Sequence, residues 1–121
     1  MKPTAQYVDG YILAVPKKNL DAYREMAESA GRIWKDHGAI DYVECIAEDV
    51  KPGKVTSFPQ AVKLEPDETV IFSWITYKSR EDRDRVNAAV MKDPRRSMDP
   101  AKRPFDGQRM FWGGFEKFVE L

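Results

Sequence analysis

One cysteine, one histidine and no apolar run long enough for a bilayer are what this chain has least of, and each scarcity removes a class of protein. Cys45 alone cannot close an internal disulfide, so a small secreted module stapled by cystines is excluded. His37 alone cannot supply a pair of imidazole metal ligands, and any scheme needing imidazole would have to run through it. No segment reaches the roughly 20 apolar residues of a transmembrane helix. The start of the chain lacks the apolar run of a secretion signal, so a cytoplasmic protein is expected. Charge of one sign is missing too. Twenty basic and twenty acidic side chains cancel, so no long-range field draws the chain to nucleic acid, an anionic membrane or an acidic substrate. The 121 residues suit one domain spanning 1–121 with one core.

What is present is organised around TVIFSWITY, residues 69–77. Its β-branched and aromatic residues, preceded by the turn formers Pro66-Asp67, read as a strand. Apolar residues on both its faces imply cover on both sides, which places it at the centre of a sheet. Residues 6–15 alternate as a first strand, with Tyr7, Asp9, Tyr11 and Leu13 on one face and Val8, Gly10, Ile12 and Ala14 on the other. Asn19 is placed to cap a helix whose apolar stripe is Leu20, Tyr23, Ala27, Ala30 and Trp34. Gly38 stops it, with His37 where a helix dipole favours a cation. Residues 40–48 repeat the strand pattern. The connection over 51–68 carries Val55, Phe58 and Val62, which predicts a segment packed onto the body of the protein. Ser79 with Asp82 resembles a capping box for a second helix over 80–92. Residues 93–107 read as a surface loop, and 109–119 as the last strand.

The order strand, helix, strand, strand, helix, strand predicts an α+β fold. It is the ferredoxin-like βαββαβ unit, a four-stranded antiparallel sheet with two helices on one face. Two helices cover only one side of such a sheet. The small residues Val8, Gly10, Ile12, Ala14, Val43, Cys45 and Ala47, with Ile71, are expected beneath the helices. Tyr7, Asp9, Tyr11, Tyr42, Glu44, Phe72, Trp74, Trp112 and Glu116 then form the opposite face, too aromatic to stand in water. Cover by a second copy follows as the expectation, giving a homodimer whose sheets enclose a partly polar cavity.

The stretches Tyr7-Val8-Asp9-Gly10, Tyr42-Val43-Glu44-Cys45, Thr56-Ser57-Phe58-Pro59 and Phe72-Ser73-Trp74-Ile75 resemble the YbaA-like family of uncharacterised bacterial proteins. So does Pro104-Phe105-Asp106-Gly107, through Arg109-Met110 to Gly113-Gly114-Phe115-Glu116. The resemblance spans almost the whole chain. It implies the fold of the dimeric α+β barrel superfamily, which includes cofactor-independent monooxygenases, haem-degrading enzymes and lactone isomerases. It implies no particular chemistry.

Asp9, Glu44 and Glu116 are the candidate catalytic residues, because burial on an aromatic face raises a carboxyl pKa toward neutrality and suits a general acid and base. A plainer reading has them hydrogen-bonded to Tyr7, Tyr11, Tyr42 or a partner's Arg109, merely fixing a dimer. Tyr11, Trp74, Trp112 and Arg109 are the candidates for holding a ligand, the indoles by stacking on a planar molecule. No cofactor is expected, and no metal, since strand spacing of three carboxyls is weak evidence for a hard cation. Cys45, among small apolar neighbours, reads as an inert buried thiol. Gly113-Gly114 inside a strand permits a bulge or a close approach, but not a phosphate loop. The leading function is therefore binding of a small planar metabolite, with cofactor-free oxidation or isomerisation as its chemistry. A non-enzymatic dimeric interaction protein is the alternative. RNA binding through Arg95, Arg96, Lys102 and Arg103 is a third, against which net neutrality counts.

Overall fold

The computed structural model describes residues 4–96 and 102–121. Residues 97–101 of the expected loop lie outside it. Seven elements follow one another: β1 (Tyr7–Pro16), α1 (Leu20–Asp36), β2 (Asp41–Ile46), α2 (Phe58–Ala61), β3 (Glu68–Tyr77), α3 (Arg80–Met91) and β4 (Phe111–Glu116). The strands pair antiparallel in the order β2-β3-β1-β4. That is the ferredoxin-like order expected, with β3 and β1 as its two central strands. The short α2 and two 3-10 turns, Lys17–Asn19 and Gly107–Arg109, are additions to it.

Local chemistry explains most of the boundaries. Ser79 extends its backbone and accepts the amide of Asp82 at 3.1 Å, opening α3 as the capping box requires. Ser57 caps α2 in the same way, ahead of a proline at the start of that turn. Gly38 takes φ +115°, a conformation open to glycine, and ends α1. Asn19, however, does not cap α1 with its side chain; its amide reaches across to donate to the Pro104 carbonyl at 3.1 Å. The preceding 3-10 turn already supplies a helical entry, so the side chain is released for a long-range tie.

The core lies between the helices and one face of the sheet. Tyr23, Ala27 and Ile33 of α1 and Val86 and Val90 of α3 pack onto Leu13 and Val15 of β1 and Ile71, Ile75 and Tyr77 of β3. On the opposite face the 58–64 segment covers one end, setting Val62 and Leu64 on Ala14 and Val70. The expected packing of this connection thus holds for Val62, whereas Val55 is 93 % exposed.

Which side of the sheet faces the helices differs from expectation in three of the four strands. Tyr11 lies opposite Ser73 on β3 and Trp112 on β4, and Ser73 lies opposite Glu44 on β2, so these four share one face. Tyr7, Asp9, Tyr42 and Glu116 belong to that face too, and it is the helix side. The small residues Val8, Gly10, Ile12, Val43 and Cys45 are on the open side with Phe72, Trp74, Phe111 and Phe115. Only β3 has the orientation expected, with Ile71 inward and Phe72 and Trp74 outward. The reason is that the helices bring partners for polar groups as well as apolar cover. A carboxylate with a partner can lie beneath a helix; a phenyl ring needs only contact.

Candidate functional site

Four residues in one row across the sheet, Trp112, Tyr11, Ser73 and Glu44, form a polar and aromatic belt under α1. Between the Tyr11, Ser73 and Glu44 part of this belt and the helix lies a cavity of about 460 Å³, which Trp112 does not line. Tyr11, Tyr23, Trp34 and Tyr42 supply aromatic walls, Leu13, Ile33 and Met26 apolar ones, and Phe105, Met110, Arg95 and Arg96 reach it from the long loop. Its size and mixed lining fall within the range of small-ligand sites.

Among the described residues Glu44 is its one carboxylate. Its Oε2 accepts from the Tyr42 hydroxyl at 2.7 Å and its Oε1 accepts from the Tyr23 hydroxyl. Burial raises the pKa of both phenols, and the neighbouring Glu44 charge raises them further, so both remain neutral donors. A carboxylate has about four acceptor positions, so two tyrosines leave it free to accept from something else. α1 comes close enough to the Tyr42 ring for this because residue 31 is glycine. A Cβ there would lie 2.8 Å from Tyr42 Cδ1. Tyr23, Tyr42 and Glu44 also border a second, more open groove between α1 and the edge strand β2, so they form the wall dividing the two spaces.

Asp9 lies one step along β1 and is fully buried. Arg83 of α3 donates to its Oδ1 at 3.1 Å, the Asn87 and Tyr77 side chains lie near enough to favour its charged form, and among the described residues no donor meets Oδ2 at hydrogen-bond distance. Burial raises the Asp9 pKa more than Arg83 lowers it. The same guanidinium donates to the Tyr7 hydroxyl at 3.3 Å and stands over the Tyr7 and Trp112 rings. Trp112 in turn stacks on Tyr11 at 5.8 Å. Asp9 therefore borders the cavity through Arg83, Trp112 and Tyr11, and does not line it.

The remaining expected residues are dispersed. Glu116 is exposed at the end of β4. Arg109 closes a two-pronged ion pair with Glu68, at 2.7 and 2.6 Å, and adds Asp106 at 3.1 Å. This arrangement holds the entry to β4 against β3. Trp74 stands in the middle of the open face beside Phe72. Cys45 is exposed there, contrary to the buried thiol expected, because it lies on the open side of β2, where the short α2 borders it only through Phe58. His37 pairs with Asp93 at 2.8 Å, tying the end of α1 to the second residue after α3. Among the described residues no three His, Cys, Asp or Glu side chains assemble into a metal cage. The asparagine Asn87, which accepts from Trp34 Nε1 at 3.0 Å and fixes that wall of the cavity, had no signal in the sequence. Nor had Gly31, except as an oddity inside a helical stripe.

These features define an α+β protein of ferredoxin-like topology with a cavity between its first helix and its sheet. The chain belongs to the family described as protein of unknown function DUF1428, whose model matches residues 6–107. It is 51 % identical over 115 residues to the uncharacterised protein YbaA of Escherichia coli K12, covering 95 % of this chain and 98 % of that one. The YbaA protein of Shigella flexneri matches to the same extent.

Proposed function

We propose that this protein binds a small planar metabolite in the cavity between α1 and the sheet, with Glu44 as the group that accepts a proton or a hydrogen bond from it. The observation that carries the reading is a carboxylate held by two neutral tyrosines at the wall of an aromatic cavity of about 460 Å³. A carboxylate so placed is fixed in direction and partly desolvated, which suits general-base work in an isomerisation or a cofactor-free oxidation. Proton transfer falls to Glu44 in this reading. Asp9, held by Arg83, positions the Tyr11–Trp112 stack; Trp74 borders the cavity from β3 while its ring stands beside Phe72, and Arg109 is engaged with Glu68 away from the cavity.

Titration with 4-hydroxycinnamate, followed by tryptophan fluorescence, tests it, since Trp34 lines the cavity. Saturable binding is expected, weakened about tenfold or more in Glu44→Gln, the loss typical of a charged hydrogen-bond acceptor. Binding that Glu44→Gln leaves unchanged would overturn the assignment.

A second reading concerns assembly, and a different observation favours it. Phe72, Phe111 and Phe115 are exposed on the open face around Trp74, a patch larger than scattered apolar residues need. A cytoplasmic homodimer pairing these faces would cover them, leaving the ligand cavity within each subunit. Such a dimer is also what a purely structural role for the open face would produce.

A further inference from the structure

Charge is distributed unevenly along the cavity. At the wall formed by β2 stands Glu44, and at the loop end stand Arg95 and Arg96. These two arginines are not equivalent. Arg95 is spoken for: its guanidinium meets Asp36 at 2.8 Å and both oxygens of Asp93, at 3.0 and 2.8 Å. Asp93 is also held by His37 at 2.8 Å. This network ties residues 93–95 to the end of α1 and so orders the chain beside the cavity. Arg96 is fixed through its backbone, whose amide donates to the Asp93 carbonyl at 3.0 Å, while its side chain forms no ion pair among the described residues. It is exposed, borders the cavity, and carries a charge that nothing described balances.

From this polarity we infer that the ligand is a planar organic acid. Its anionic group lies at the loop end against Arg96, and a hydroxyl or N–H at its other end donates to Glu44. The inference rests on the cavity reading above and adds to it the ligand's charge and direction. Both ends have a physical reason. A guanidinium offers several donors in a plane that matches a carboxylate, and Glu44 can accept but not donate once ionised. A molecule entered the other way round would set its anion against Glu44, and like charges at that distance repel in a partly dry site. The Tyr11 hydroxyl, which lines the cavity and makes no hydrogen bond among the described residues, is a neutral third contact along the ligand's length.

Three probes with one ring system separate the possibilities: 4-hydroxycinnamate, its amide, and cinnamate. Calorimetric titration of the intact protein should show the hydroxy acid binding about ten times more tightly than the amide at low salt, a ratio that narrows toward one near 0.5 M salt. Arg96→Ala should erase the preference for acid over amide while leaving amide affinity within about twofold, and Arg96→Lys should retain part of it. Cinnamate, lacking the donor for Glu44, should bind several-fold more weakly than its hydroxylated counterpart. Equal affinity for acid and amide, both still sensitive to Glu44→Gln, would overturn the charge assignment and leave the cavity reading intact. Absence of saturable binding for all three at millimolar concentration would overturn both. Arg96 is exposed and takes no part in the core, so its variants fold, and circular dichroism of each checks that they do.

Discussion

The two faces of one sheet show how differently two aromatic surfaces can be completed. On the helix side the rings are mostly phenols and they come with carboxylates: Tyr7, Tyr11, Tyr42 and Tyr77, with Asp9 and Glu44. Each of those acids meets a donor from a helix, Arg83 for Asp9 and Tyr23 for Glu44. On the open side the rings are phenyls and one indole, Phe72, Trp74, Phe111 and Phe115, around a strip where Gly10 and Gly113 lie opposite each other. Nothing polar among them needs a specific partner. The first face needs helices whose side chains match it residue by residue; the second needs only another apolar surface of suitable shape. Polar completion is directional and apolar completion is not.

The sharpest way to break this contrast is to remove a helix donor. Arg83→Met should destabilise the fold by about 3–5 kcal/mol in urea denaturation, because Asp9 is left buried without its ion-pair partner. Replacing the pair together, Asp9→Leu with Arg83→Met, should recover most of that loss. If Arg83→Met alone costs less than about 1 kcal/mol, the polar partnership is not what holds this face.

A smaller effect is expected at Arg109, which is partly exposed and pairs with Glu68. Arg109→Ala should cost about 2–3 kcal/mol. Its pH dependence has a defined sign. The Arg109 hydrogen bonds hold the Glu68 carboxyl below its ordinary 4.5, so the stability it contributes is complete above that value and is lost as pH falls through the depressed pKa. The gap between wild type and variant should therefore be constant near neutrality and close in acid. Asp9 has the opposite sign. Its pKa is raised above 3.8 by burial, so its contribution is complete below that value and lost as pH rises through the elevated one. Acid titration of stability thus separates the two pairs, and a gap at Arg109 that widened in acid would contradict the assignment.

The smallest change in folding stability is expected on the open face. Phe72→Ser and Phe115→Ser should alter the stability of the subunit by under about 1 kcal/mol, since both rings are exposed in the single chain. Their effect should appear instead in sedimentation at micromolar concentration: the dimer proposed for the open face would have the wild-type chain sediment as two subunits and the double variant as one. A wild-type chain that sediments as one subunit would remove the second copy from that face.

Much of this architecture was legible from residues alone, and the part that was not has one cause. Period-two alternation separated Tyr7, Asp9 and Tyr11 from Val8, Gly10 and Ile12 correctly, and Ser79, Gly38 and Pro66-Asp67 marked the boundaries that the structure has. Asp9 and Glu44 were recognisable as unusual carboxyls. Which face lay beneath the helices was not recognisable, because size suggested that small residues pack under helices. In fact Gly31 of α1 makes room for the Tyr42 ring, so the helix gives way where the sheet is large. Arg109 looked like a ligand contact because its partner, Glu68, is 41 residues away in the chain. Cys45 looked buried for the same want of a third dimension.

The order of strands and helices, their ends, and the pairing of like residues on each strand follow from local rules. Backbone propensity and side-chain period act over a few residues and are written in the chain. The side of the sheet that the helices cover, and hence the position of Glu44 between Tyr23 and Tyr42, was decided only by tertiary structure. Matching a donor on a helix to an acid on a strand depends on register between segments tens of residues apart, and alternation along one strand carries no information about it.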